Sequence, residues 1–434
     1  MSLARFAHPI RYYPLLPGFH LLMVLVMISI PFGELQGALL GGFSPAKIFI
    51  PLLFFYVVCI HLFRLTIHPL LGPYILFVVC TLPSLVTGID FTEILISLAG
   101  YILLFQVLYS YSFSINKIRA LIKTYIIGLT FIACLTLASL VTGFDAGAQL
   151  GKPFIEYWLG FPIVSGPSNN PNGFATLFIP GISFAFYCFL SSEKKRAKLI
   201  YGSVMTIFIL TLILTFSRSG IAAALISCFV IHHHKKNITT FTVKLIVKLS
   251  LILAGIILLG AVYYSAIGLV TSDTSGGEAS SNTNISLIKG ESGGYRTRMI
   301  VPMLSIVVEN PIIGVGYGNV NGMIEEKTGL FLAAHNTFFG IAMDYGFITL
   351  VFFCLTIGLS FRDFGRAVRL AGKDIKNRLL VSALFASLGG MMFHGLFHEL
   401  YVNFMLWFLI AMGPIVLRSA RLSNWQYLTS LRKT

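Results

Sequence analysis

Apolar residues run along this chain in long blocks separated by short polar joints, and the block length decides the class of protein. A helix that crosses the hydrocarbon core of a bilayer needs about 20 mostly apolar residues. Twelve stretches qualify, at roughly 16–31, 46–63, 70–88, 92–111, 118–142, 171–191, 198–216, 218–233, 243–268, 336–360, 377–397 and 399–418. The Gly-rich run 37–43 leaves room for a re-entrant turn, and with it a count changed by one. The twofold alternation of an outer-membrane barrel is absent. The pattern therefore predicts an all-α integral membrane protein of about 12 transmembrane helices, a single polytopic domain over 1–434.

Most joints are short, which predicts antiparallel neighbours. Two are not. Residues 143–170 form one long connection, whose aromatic run from Phe154 to Phe161 predicts an amphipathic piece lying along the interface, where Tyr157 and Trp158 are at home. Residues 269–335 form the other, and a connection that long is usually functional. Its first half is rich in Ser, Gly and Asn. From Tyr295 to Val308 apolar residues return at helical spacing, until NPIIGVGYGN stops the pattern. One or two short helices over the mouth of the bundle are expected there, with Arg296 and Arg298 in the first turn. No internal repeat is visible, which counts against an inverted-repeat transporter.

Composition agrees: 56% of residues are hydrophobic and 11% charged, against about a quarter charged in soluble domains. Charge then sets the orientation. With the N-terminus in the cytoplasm and twelve alternating spans, 24 of the 31 Lys and Arg fall on the inner side and 7 outside, whereas 13 of the 16 acidic residues fall outside. That asymmetry obeys the positive-inside rule and puts both termini in the cytoplasm. The net charge of +15 is then an inner-face charge suited to anionic membrane lipid. It is scattered over short loops and two tails, which argues against nucleic acid as a partner. The six cysteines, at 59, 80, 134, 188, 228 and 354, all fall in predicted spans, so no outer disulfide is expected. The first apolar block lacks a small-residue cleavage site and reads as a retained span.

Against an acidic outer face, three arginines stand out: Arg218 in TFSRSG, and Arg296 and Arg298 in GGYRTRM. Guanidinium grips phosphate through a planar fork of donors. An arginine snorkelling to the headgroups is the plain alternative for Arg218. Ser217, Ser219 and Gly220 favour a phosphate clamp, since they offer small hydroxyls at an open helix N-terminus. Arg296 and Arg298 are two apart and point to different helix faces, so one of them shares a site with Arg218 at most, Arg296 first. His335 and Asn336 end the same loop. Histidine is the usual general base near neutral pH, although a cap or a core residue is the commoner use of a lone His. Asp344, deeper on the same element, is a candidate to orient His335 or pair with an arginine. His394, His398 and Glu399 sit on a tight outer turn without a further firm ligand, so a metal is not expected. The three His at 232–234 read as an interfacial polar cap. The glycines of GVGYGN (314–319) make a turn or a backbone nest.

TFSRSG at the start of a span, an Arg ahead of a helix in a large outer loop, then ENPIIGVGYGN and HNTFFGIAMDYGFIT together resemble the O-antigen ligase and polymerase superfamily. The ligase pattern of His, then Asn, Ser or Gln, nine residues, Gly, two residues, then Gly, Thr or Tyr is met by His335, Asn336, Gly346 and Thr349. The resemblance covers about 165–350. It implies a GT-C type glycosyltransferase of the bacterial inner membrane. Such an enzyme moves a glycan from undecaprenyl pyrophosphate to lipid A–core at the periplasmic leaflet, with no cofactor. On that basis Arg218 and Arg296 hold the pyrophosphate, Arg298 stands in reserve, and Ser217, Ser219 and Asn336 line the substrate. His335 takes the acceptor proton, so transfer is expected to be inverting and metal-independent. A polymerase of the same superfamily is the nearest alternative. A twelve-span lipid or solute transporter is the alternative from another class, disfavoured because polar groups gather at one face and not at the midplane.

Overall fold

The computed structural model describes residues 17–32, 50–52, 55, 67–87, 91–110, 114–145, 148, 153–158, 161–168, 170–235, 300–328, 335–371 and 374–431. The expected span at 243–268, most of that at 46–63, the first half of the long loop, and both Arg296 and Arg298 lie outside the described residues. The described residues are mostly helical. Among the described residues five helices are long and apolar enough to cross a membrane: Ile115–Thr142, Pro171–Ser191, Lys195–Leu214, Phe347–Leu370 and Phe404–Leu422.

In chain order the helices are α1 (Pro17–Ser29), α2 (Leu71–Thr87), α3 (Phe91–Ser110), α4 (Ile115–Thr142), α5 (Pro171–Ser191), α6 (Lys195–Leu214), α7 (Arg218–Lys235), α8 (Ile300–Glu309), α9 (Val320–Thr328), α10 (Thr337–Tyr345), α11 (Phe347–Leu370), α12 (Ile375–His394) and α13 (Phe404–Leu431). α12 packs against both α5 and α7, and α11 against α13 and α2. Small residues let these backbones close up. A Cβ on Gly390 of α12 would stand 2.3 Å from Ser227 Oγ and 3.0 Å from the Ala223 carbonyl of α7. At that crossing the Ser227 hydroxyl donates to the Ala386 carbonyl across the interface at 2.9 Å. On the other side of the bundle, buried Trp407 of α13 is ringed by Tyr74, Phe77, Tyr101, Phe105 and Phe353, with centroids 4.6–6.2 Å away. The outward faces stay apolar: Leu199, Ile200, Leu210 and Ile213 of α6 are exposed. A helix that turns such residues outward is suited to a hydrocarbon surround.

Basic residues gather at one end of the bundle. Arg378 at the start of α12 donates to the Lys235 carbonyl at the end of α7, Lys376 pairs with Glu193 at 2.6 Å, and Arg119 Nη2 reaches Asn377 Oδ1 at 2.7 Å. The opposite end of α7 carries Arg218, and the opposite end of α12 carries His394.

Two expectations take a definite form here. The run from Phe154 to Phe161, expected as an amphipathic piece, contains paired strands. Residues Ile155–Trp158 (β1) and Phe161–Val164 (β2) pair antiparallel, with Trp158 opposite Phe161. The aromatic and β-branched residues Ile155, Tyr157, Trp158, Phe161, Ile163 and Val164 favour paired strands. The Asp145 carboxylate fixes the start of β1, accepting from the backbone N–H groups of Phe154 at 2.9 Å and Ile155 at 3.1 Å.

The other is a correction: the expected span at 336–360 is two helices. α10 ends at Tyr345 and α11 begins at Phe347, with Gly346 between them at φ 85°. The loop 310–319 fills that break with its own backbone. Phe347 N–H donates to the Pro311 carbonyl at 2.7 Å, Val315 N–H to Met343 O at 2.8 Å and Gly316 N–H to Asp344 O at 3.1 Å. Non-helical backbone inside a membrane protein is tolerated where protein satisfies it. The glycines of GVGYGN therefore make a turn that caps the broken helix. α8 and α9 flank it, closing a small apolar cluster of Met303, Ile306, Val320 and Ile324 on Met343 of α10. A Cβ at Gly346 would lie 2.0 Å from the Ile312 carbonyl oxygen. Gly346→Ala is accordingly expected to lower stability by roughly 1–3 kcal/mol from backbone conformation alone, with the clash adding to it. Thermal unfolding in detergent checks this, and an unchanged melting temperature would refute the account of the break.

Candidate functional site

Three helix N-termini meet at the end of the bundle away from the basic cluster, and each is capped by a short polar side chain. Asn170 caps α5, its Oδ1 accepting from Asn172 N–H at 2.9 Å. Ser217 Oγ accepts from Gly220 N–H at 3.3 Å at the start of α7. Asn336 Oδ1 accepts from Phe338 and Phe339 N–H at 2.9 and 3.0 Å at the start of α10. These are the residue types that satisfy first-turn donors. The positive ends of three peptide dipoles thus face one region.

The turn that follows α12 ties the three together. His394 is fully buried, and its Nε2 lies 3.1 Å from the Asn172 carbonyl oxygen of α5. A carbonyl only accepts, so Nε2 carries the proton and Nδ1 accepts from the Ser219 hydroxyl of α7 at 2.9 Å. Ser217 Oγ donates to Asn172 Oδ1 at 2.8 Å, a further link between α7 and α5. On the other side, α10 is latched to the same turn. Thr337 N–H donates to Gly395 O at 2.8 Å, Thr337 Oγ1 donates to His398 O at 2.7 Å, and Leu400 N–H donates to Thr337 Oγ1 at 2.9 Å. Asn336 Nδ2 donates to Leu396 O at 2.8 Å.

Each residue singled out in the sequence can now be placed. Arg218 is exposed in the first turn of α7, one residue before the Ser219 bound to His394. His335 is half-buried immediately before the cap of α10. The structure therefore brings Arg218 and His335 onto elements that share one turn. Ser217, Ser219 and Asn336, expected to line the substrate, spend polar groups on joining α5, α7, α10 and the turn. Backbone strain clusters here as well. Among the described residues the non-glycine residues with positive φ are Phe216 at 52° and His335 at 46°, two residues before Arg218 and the proposed base itself. Such conformations persist only when their surroundings over-determine them.

Asp344 is corrected. Its buried carboxylate accepts from the Tyr401 hydroxyl at 2.5 Å, so among the described residues its partner is a tyrosine. Tyr401 in turn stands edge-on to Tyr345 at 5.8 Å, and its carbonyl accepts from Trp407 Nε1 at 2.6 Å. The carboxylate at His335 belongs instead to Glu399. The His335 backbone N–H donates to it, while burial pushes the Glu399 carboxyl above its ordinary value. Sequence reading weighed HGLFHELY only as a metal set and missed that His394 and Glu399 frame the site from behind. The rings of His394 and His398 lie 5.5 Å apart.

Residues 203–354 match the family model described as O-antigen ligase. No curated protein matches the chain.

Proposed function

We propose that this multi-pass membrane protein, whose residues 203–354 match the O-antigen ligase family model, passes a glycan from undecaprenyl pyrophosphate to lipid A–core at the periplasmic leaflet. The observation that carries the reading is the shared turn, which joins the helix start bearing Arg218 to the helix start preceded by His335. The basic residues at the far end of the bundle support a cytoplasmic far end, and hence a periplasmic site, by the positive-inside rule. The further spans expected from the apolar blocks make up the count of twelve.

The chemistry follows from charge. As the bond between sugar and pyrophosphate breaks, negative charge grows on the leaving group. Arginine and converging helix N-termini that meet it better in the transition state lower the barrier. Arg218 and Arg296 take that part, with Arg298 in reserve. His335 takes the proton from the acceptor hydroxyl as that oxygen attacks the anomeric carbon on the face opposite the pyrophosphate, which inverts configuration. Ser217, Ser219 and Asn336 hold these elements in place at the edge of the substrate.

Purified protein in detergent, given lipid-linked glycan and lipid A–core, is expected to form glycosylated core with no added metal. Saturating EDTA is expected to leave the rate unchanged, because guanidinium supplies the cationic charge. Product formed without lipid A–core, as lengthening lipid-linked glycan, would make the protein a polymerase. Solute movement without any new glycoside would make it a transporter.

A further inference from the structure

Glu399 has no part in the chemistry above, yet its carboxylate receives the backbone N–H of His335. His335 is held at φ 46°, in the left-handed region that side chains with a Cβ adopt only at a cost. The bonds around it explain how that conformation survives. Thr337 Oγ1 bridges the main chain of His398 and Leu400, the two neighbours of Glu399. Glu399 closes the same interlock from the other direction, onto the residue two before Thr337. Gly340 makes room for it: a Cβ there would stand 3.6 Å from Glu399 Cγ and 3.2 Å from Tyr401 Cε1. The carboxylate side chain thus lies along a bare strip of α10 and ends at the His335 amide.

We infer that Glu399 is a positioning residue for His335, its carboxylate fixing the backbone turn that aims the imidazole. This rests on the reading of His335 as the base. What the role needs is an acceptor atom at that place. It does not need the carboxylate's charge or its proton. Glutamine keeps an acceptor oxygen on a side chain of equal length, alanine removes it, and aspartate withdraws it by one methylene.

The test uses the full-length protein in detergent with lipid-linked glycan and lipid A–core, reading kcat, KM for the donor and the melting temperature. Glu399→Ala is expected to lower kcat about 100-fold, the scale of a misplaced catalytic group, with donor KM and melting temperature near wild type. Glu399→Gln is expected to restore kcat to within about threefold of wild type. If Glu399→Ala fails to fold, Glu399→Asp takes its place, with an expected loss of about 10-fold in kcat. The inference is overturned by wild-type kcat in Glu399→Ala, or in Glu399→Asp where that stands in. It is also overturned if Glu399→Gln is as impaired as Glu399→Ala, or if kcat falls only in proportion to folded protein. His335→Ala is assayed alongside. An active His335→Ala removes the base reading itself, whereas an inactive His335→Ala beside an active Glu399→Ala removes this inference alone.

Discussion

His335→Ala is expected to lower glycan transfer about 10²–10⁴-fold, the usual worth of a general base, while the donor still binds. Bonds from other groups hold the α10 start. Asn336 caps the helix, Thr337 latches it to Gly395, His398 and Leu400, and the His335 backbone N–H reaches Glu399. All of these survive truncation of the ring, so the fold is expected to persist and the loss to appear in kcat. Steady-state rates read beside equilibrium binding of the lipid-linked donor check it. A parallel loss of rate and binding would make His335 a structural residue.

Arg218→Lys is expected to cost about 10²–10³-fold in kcat, the scale found when one preorganised donor to a developing anion is removed. Lysine retains the charge but presents a point ammonium where the fork of two parallel N–H donors is required. The helix start is unharmed, because the cap at Gly220 comes from Ser217 and the tie to His394 from Ser219. A fall in kcat with donor KM changed little would place the lost interaction in the transition state. Near-normal turnover would leave Arg218 as a headgroup anchor.

Much of the helical layout was legible because a bilayer imposes one length on every span. The apolar blocks at 118–142, 171–191 and 198–216 correspond to helices at Ile115–Thr142, Pro171–Ser191 and Lys195–Leu214. What periodicity could not show lies where backbone is bonded by something distant in the chain. The break at Gly346 exists because the main chain of 311–316 enters it, and an apolar run reads the same with or without that insertion. The strand pairing of 155–158 with 161–164 was not legible because aromatic residues mark an amphipathic segment without fixing its secondary structure.

The site divides in the same way. Arg218 and His335 were visible as charge and chemistry out of place, and their helix starts do share one turn. His394 and Glu399 were visible too, but their spacing suggested only a metal set. Their work depends on Asn172, Ser219 and the His335 amide, which are 64 to 222 positions away in the chain. Arg296 and Arg298 remain assignments from sequence, since they lie outside the described residues.

The most direct measurement is an experimental structure of the protein with an isoprenoid diphosphate glycan bound in a lipid nanodisc. The account predicts the diphosphate against Arg218 at the start of α7, with the first sugar turned toward the His335 imidazole. A diphosphate seated by Lys235 and Arg378 at the other end of α7, or separated by protein from His335, would contradict it.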